Sequence, residues 1–159
     1  MIKITDTFLK NLSAQAKRLP RKRINHNFHK SDGDTLQRMI NAMEPGTYSR
    51  PHKHQNPDKR EIFLILKGRI AVIEFDDNGQ IIDHVILDTA GATKAVEIPP
   101  RTWHSLLSLE EGSAVYELKD GPYDSSTDKI CAGWSPEEGG GEAGKFNEEL
   151  RMRIKAAIK

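Results

Sequence analysis

Residues 68–87 read GRIAVIEFDDNGQIIDHVIL, two apolar-rich runs on either side of Asp76-Asp77-Asn78-Gly79. Short runs rich in Ile, Val and Phe form strands, and Asn-Gly is the pair a type I′ hairpin turn prefers because both residues tolerate positive φ. The stretch therefore predicts an antiparallel hairpin turning at Asn78-Gly79. The same texture runs from residue 24 to 119, with further turn signals at SDGD (31–34), EPGT (44–47), LKGR (66–69) and LEEGS (109–113). Strands at this spacing without helices between them predict an all-β fold, a sandwich or barrel-like double sheet.

Both flanks read as helical. Phe8, Leu12, Ala16 and Leu19 recur near helical spacing, with Asp6 or Thr7 as N-cap and Pro20 after the end. The basic run RLPRKR (18–23) reads as a solvated helix end and linker in preference to a phosphate contact. GWSPEEGGGEAGK (133–145) predicts a mobile loop, and Phe146, Leu150, Ile154 and Ala157 a second amphipathic helix. The expected organisation is a helix and linker over 1–23, a β domain over 24–132, and a loop and helix over 133–159 packing on that domain.

A chain of 159 residues suits a single domain. Its 24 basic and 23 acidic side chains leave a net charge of +1, which argues against nucleic acid or a membrane surface as partner. Cys131 is the only cysteine, so a disulfide framework and a cysteine-rich zinc site are both excluded. With no run of signal-peptide or membrane-spanning length, the expected location is the cytoplasm.

The chemistry concentrates in GTYSRPHKHQNPDKREIFLILKG (46–68). Alternate residues of a strand share a face, so His52 and His54 point one way and Lys53 the other. Glu61 opens the next strand on the face of Phe63 and Ile65, which directs its carboxylate inward, where it is costly unless paired or bound to a cation. His104, after the rigid Pro99-Pro100 turn in EIPPRTWHSLLSL, supplies a third imidazole. Three histidines and a glutamate suit one divalent transition metal per chain, whether Zn, Fe, Mn, Ni, Co or Cu, with one or two positions open.

Gly46-x5-His52-x-His54-x6-Glu61-x6-Gly68 resembles the first cupin motif, and Pro99-x-Arg101-x2-His104 the core of the second, with Arg101 where glycine is common. More narrowly, QRMINAMEPGTYSRPHKH, the FDDNG hairpin, IPPRTWH and YELKDGPYDSSTDKICAGWSPEEGG resemble the WbuC-type cupin-fold metalloproteins, named from bacterial surface-polysaccharide gene clusters. The resemblance implies a single cupin jelly-roll barrel, with short flanking helices, around a bound metal. It also implies a small polar ligand such as a sugar or sugar nucleotide.

Tyr48 and Arg50 share strand parity with His52 and His54 if the strand stays regular through Pro51, and with Arg38 they are the candidates for holding a ligand. Tyr48, Glu117 and Tyr123 are the candidates for general acid or base. His26 and His29 lie three apart in an extended stretch and face opposite sides, so they are not read as a second site, and His84 is read as an ordinary strand residue. The run Ile62–Leu66 is apolar on both faces and must be covered on both, by the helices or by a homodimer partner. As an enzyme the protein would be a metal-dependent isomerase or epimerase, or a dioxygenase. The other class is a non-catalytic metal- or sugar-binding sensor or scaffold.

Overall fold

The computed structural model describes residues 1–157, with two helices and ten strands. Helix α1 (Asp6–Arg18) is followed by β1 (Arg23–Asn27), β2 (Leu36–Met43), β3 (His52–Lys53), β4 (Glu61–Lys67) and β5 (Arg69–Phe75). Then come β6 (Ile81–Asp88), β7 (Ala95–Ile98), β8 (Trp103–Ser108), β9 (Ser113–Asp120), β10 (Ile130–Cys131) and α2 (Ala143–Ala157). The strands pair antiparallel into two five-stranded sheets, ordered β1-β2-β9-β4-β7 and β10-β3-β8-β5-β6, which make the jelly roll that the sequence predicts. Among the described residues no helix is long and apolar enough to cross a membrane.

Strand alternation decides what enters the barrel. Phe63 and Ile65 of β4, Ile70 and Val72 of β5, Leu106 of β8 and Val115 of β9 meet in one apolar cluster with Met43 and Leu87. Two residues further along the same faces stand Glu61, His104 and Glu117, and these are polar. The barrel is thus apolar at one end and ionisable at the other. Strand β5 has no polar alternation because both its faces are buried: Ala71, Ile73 and Phe75 lie under Leu150 and Ile154 of α2.

Helix α1 lays Leu9, Leu12 and Ala16 on Ile40, Ala42 and Ala114 of the other sheet. The buried Glu44 carboxylate fixes it there, accepting hydrogen bonds from Ser13 Oγ at 2.5 Å and from Gly112 N at 3.1 Å. Coverage of β4 is partial, since Leu66 packs under α1 while Leu64 stays 38% exposed.

Several local expectations are corrected. The α1 N-cap is Thr5, whose hydroxyl accepts from Phe8 N at 3.2 Å; Asp6 and Thr7 are already helical. Leu19 is the C-cap and Ala157 is exposed, so neither belongs to a buried helix face. The β5–β6 hairpin does not turn on two positive-φ residues. Only Gly79 (φ +81°) is left-handed, because Asp76 Oδ1 accepts from both Asn78 N and Gln80 N and draws the chain into a wider loop. A Cβ on Gly79 would also stand 2.7 Å from the Trp134 ring. The stretch expected to be a mobile loop is anchored: Trp134 packs against Phe75 and Phe146, Tyr48 Oη donates to Pro136 O at 2.9 Å, and Glu138 pairs with Arg21 and Arg23.

Arg101 takes φ +68° in the turn before β8, which explains why glycine is common at this motif position. Its amide donates to His54 O at 2.9 Å, and its guanidinium reaches only the exposed Asp58. A left-handed non-glycine residue costs about 1–2 kcal/mol, while an exposed ion pair contributes about 0–1 kcal/mol. Arg101→Gly is therefore expected to raise stability by up to about 1 kcal/mol, measured as the urea midpoint; a clear loss would show that the ion pair matters more than the backbone strain.

Candidate metal centre

Strand β3 is only two residues long, yet it sets the site, because its pairing puts His52 directly opposite His104 of β8. His54 follows one residue past β3, and Glu61 opens β4 from the facing sheet. One ligand atom from each of the four residues lies within 4.8 Å of all the others. His104 Nε2 is 2.8 Å from Glu61 Oε2, and His54 Nε2 is 3.1 Å from Glu61 Oε1. His54, Glu61 and His104 are each at most 3% exposed.

The other nitrogen of each ring decides the tautomer. His52 Nδ1 donates to Arg50 O at 2.9 Å, His104 Nδ1 to Thr102 O at 2.9 Å, and His54 Nδ1 to Asp128 O. A carbonyl can only accept, so each Nδ1 carries the proton and each Nε2 presents a lone pair. Burial above all holds His52 well below the usual histidine range and keeps it neutral at neutral pH. Among the described residues, buried His54 Nε2 makes no aligned hydrogen bond, although Glu61 Oε1 is 3.1 Å away. Three bare nitrogens and a carboxylate repel one another unless a proton or a cation stands between them. A first-row divalent ion would hold its donors at about 2.1 Å, so no two of them could lie more than about 4.2 Å apart, and the spread of up to 4.8 Å found here is close to that. The residues therefore fit a metal through His52, His54, Glu61 and His104.

Burial alone would push the Glu61 carboxyl up, but the neighbouring His104 and His54 rings outweigh it and hold it well below the usual range. The cluster borders a cavity of about 370 Å³ with Phe63, Leu106 and Met43 among its walls. Glu117 of β9 enters the same cavity and accepts from Asn41 Nδ2. Burial, reinforced by the neighbouring Glu61 carboxylate, pushes it up to about 8.

Behind His54 lies an ion cluster that sequence reasoning missed. Asp128 Oδ1 accepts from Lys59 Nζ at 2.8 Å and Oδ2 from Lys119 Nζ at 2.6 Å, while its backbone oxygen holds His54. Lys59 is only 2% exposed and also donates to Pro122 O at 2.5 Å. The long spacer between His54 and Glu61 thus has a use, because it carries Lys59 inward. Strand parity with Glu117 was the available signal for Lys119; nothing local marks Lys59 or Asp128.

The remaining candidates divide. Glu117 lines the cavity, and Tyr123, 39% exposed, stands at its mouth with Lys119 Nζ 5.6 Å from its ring centre. Tyr48, Arg50 and Arg38 do not reach the cavity. The chain is not extended as a strand before His52, so it is Ser49 that faces the cavity, while Tyr48 packs edge-on to Phe146. Arg50 donates to Ala132 O and Ser135 O, and Arg38 to Phe28 O. His26 packs between Phe8 and Phe28, and His29 lies in a neighbouring groove, in contact with the Arg38 backbone. Arg21 and Arg23, read from the sequence as part of a solvated linker, both border the cavity and pair with Glu138; Arg21 stays exposed as that reading has it, while Arg23 is drawn inward.

A two-sheet antiparallel barrel holding three histidines and a glutamate defines a cupin-fold protein. A family model described as a domain of unknown function (DUF6016) matches residues 4–87, more than half of the chain, and the chain belongs to that family. No curated protein matches. Among solved structures, the chain is similar to a Shewanella oneidensis protein solved as a structural-genomics target (12% identity, TM-score 0.57, covering 82% of this chain and 85% of that one). It is equally similar to the salicylate 1,2-dioxygenase of Pseudoaminobacter salicylatoxidans in complex with gentisate (13% identity, TM-score 0.57, covering 82% and 37%). CapF with an inhibitor follows (21% identity, TM-score 0.53, covering 67% and 30%). The chain therefore spans well under half of the last two proteins, and at these identities the likeness is one of fold.

Removing one partner of a buried ion pair costs about 3–5 kcal/mol, whereas an apolar replacement of the whole set is often neutral. Asp128→Ala is expected to lose about that much stability, by leaving Lys59 uncompensated and Lys119 with only Glu61 Oε1, 3.8 Å away, and the triple change Lys59→Met, Lys119→Met, Asp128→Leu to recover most of it. Urea unfolding of both variants measures this, and equal losses would show that Asp128 acts by packing and not by charge.

Proposed function

We propose that the protein binds one divalent transition metal per chain through His52, His54, Glu61 and His104, and acts as an enzyme on a small polar molecule. The carrying observation is the convergence of three buried imidazoles on one carboxylate, with one ligand atom of each within 4.8 Å of the others and, among the described residues, no aligned hydrogen bond at His54 Nε2. When bound, the metal supplies Lewis-acid polarisation of a ligand oxygen. Glu117 faces the same cavity from β9 and, steadied by Asn41, is placed to hold or pass a proton at a carboxyl oxygen. Phe63 and Leu106 exclude water from below. A polar cavity with an ionisable side chain beside the donor set favours an enzyme over the sensor or scaffold reading, which would suit a closed apolar pocket.

Proton transfer by Glu117 favours isomerisation or epimerisation over dioxygenation, since the donor set is common to all first-row ions and does not select iron. Cupin folds host many reactions, so the fold itself does not choose. The resemblance to WbuC-type proteins, carried by the KDGPY and WSPEEG tail, supports a sugar or sugar nucleotide of surface-polysaccharide metabolism as ligand.

Elemental analysis of purified protein is expected to find about one first-row metal per chain, lost in His52→Ala and His104→Ala and kept in Glu117→Gln. Metal-free protein that also fails to take up Zn, Mn, Fe, Co, Ni or Cu on reconstitution would overturn the reading.

The homodimer expected from β4 is assigned to the part of the outer sheet face that α1 leaves open. Ile62 and Leu118 line a shallow groove there, beside the exposed Leu36 and Leu64. The rim carries both Arg60 and Glu97, so two copies related by a twofold axis can oppose unlike charges. Light scattering is expected to give twice the chain mass for the wild type and the single mass for Leu64→Glu; a monomeric wild type would refute the assignment.

A further inference from the structure

Strand β1 runs along the rim of the cavity, and its alternation sends Arg23, Asn25 and Asn27 to one side. Arg23 and Asn25 line the metal-centre cavity, and Asn25 and Asn27 line an adjoining groove of about 220 Å³. The two spaces also share Lys119 and Tyr123 as walls, so they adjoin along β1 and together make a track. Asn25 Nδ2 donates to Asn27 Oδ1 at 2.8 Å, which leaves one carboxamide oxygen and one carboxamide nitrogen free toward the groove. Such groups pair with hydroxyls.

The cavity end of the track has surplus positive charge. Arg21 and Arg23 share the single carboxylate of Glu138, and Lys59 and Lys119 share that of Asp128, with Glu61 Oε1 also 3.8 Å from Lys119 Nζ. Lys129 also lines the cavity, exposed, and among the described residues it has no ion-pair partner. A divalent ion on the four donors would add to this excess. A part-enclosed positive field concentrates anions, and beyond the bonds of these guanidinium groups to Glu138 and Tyr48 O, Arg21 Nη1 and Arg23 Nε are left to donate. Arg21, Arg23 and Lys129 border the cavity, and that is where the anion settles.

We propose that this track binds an elongated, hydroxylated oxyanion, with its carboxylate or phosphate held by Arg21, Arg23 and Lys129 and its hydroxyl groups lying along Asn25 and Asn27. This rests on, and narrows, the reading of the cavity as a metal-dependent site for a small polar molecule. Paired strand residues repeat at about 6.7 Å, so a six-carbon chain reaches from the arginine to the carboxamides.

Calorimetric titration of the metal-loaded protein at low salt tests it, with gluconate, sorbitol 6-phosphate and sorbitol as probes. The first two match sorbitol in length and hydroxyls but carry the anion, and they separate a carboxylate from a phosphate source. At least one is expected to bind about tenfold or more tighter than sorbitol, with Lys129→Gln and Arg21→Gln each weakening it several-fold and leaving metal content unchanged. Equal binding of sorbitol, or no binding of either anion by protein holding one metal per chain, would overturn the proposal and leave the metal reading standing. A metal-free protein that still prefers an anion would do the reverse.

Discussion

The Glu61 carboxylate is 3% exposed inside the barrel, and an ionised group so placed is tolerable only if its surroundings return what water would have given. Everything near it is arranged around that demand. The three imidazoles turn their unprotonated nitrogens toward it because three backbone carbonyls hold their opposite nitrogens. Those carbonyls belong to Arg50, Thr102 and Asp128, each in an irregular stretch next to a strand, where a carbonyl is free of the ladder. Precision at the centre is thus supplied by loops that the sheets hold in place.

The sheets contribute a gradient. Register pairs Glu61 with Lys119, Phe63 with Glu117 and Ile65 with Val115, so inward side chains pass from charged to apolar along neighbouring strands in step. The apolar end forms the continuous core, and it also backs the ionisable end with a medium of low polarity, in which each charge acts more strongly than it would in water. Stability and site chemistry use the same pleat, two residues apart.

How much of this is legible in the sequence follows from how local each signal is. The strands, the turns at Gly46, Gly68 and Gly112, and both helices show in short-range pattern, as does the two-residue spacing that sends His52 and His54 to one side. Glu61 is legible because Phe63 and Ile65 share its face. Tyr48 and Arg50 misled because parity was carried through Ser49–Pro51, where the chain is not a strand. Lys59 and Asp128 lie 69 positions apart and become partners only once the barrel closes. The same holds for Arg21 and Arg23, whose role turns on Glu138, at separations of 117 and 115 residues.

The apolar floor of Phe63, Leu106 and Met43 has a geometric consequence. It seals the barrel beneath the four donors, so a visiting molecule approaches from the polar end alone and turns the same side toward His52, His54, Glu61 and His104 each time. Handedness of encounter is then built into the shape of the vessel, before any individual contact discriminates one face of the visitor from the other.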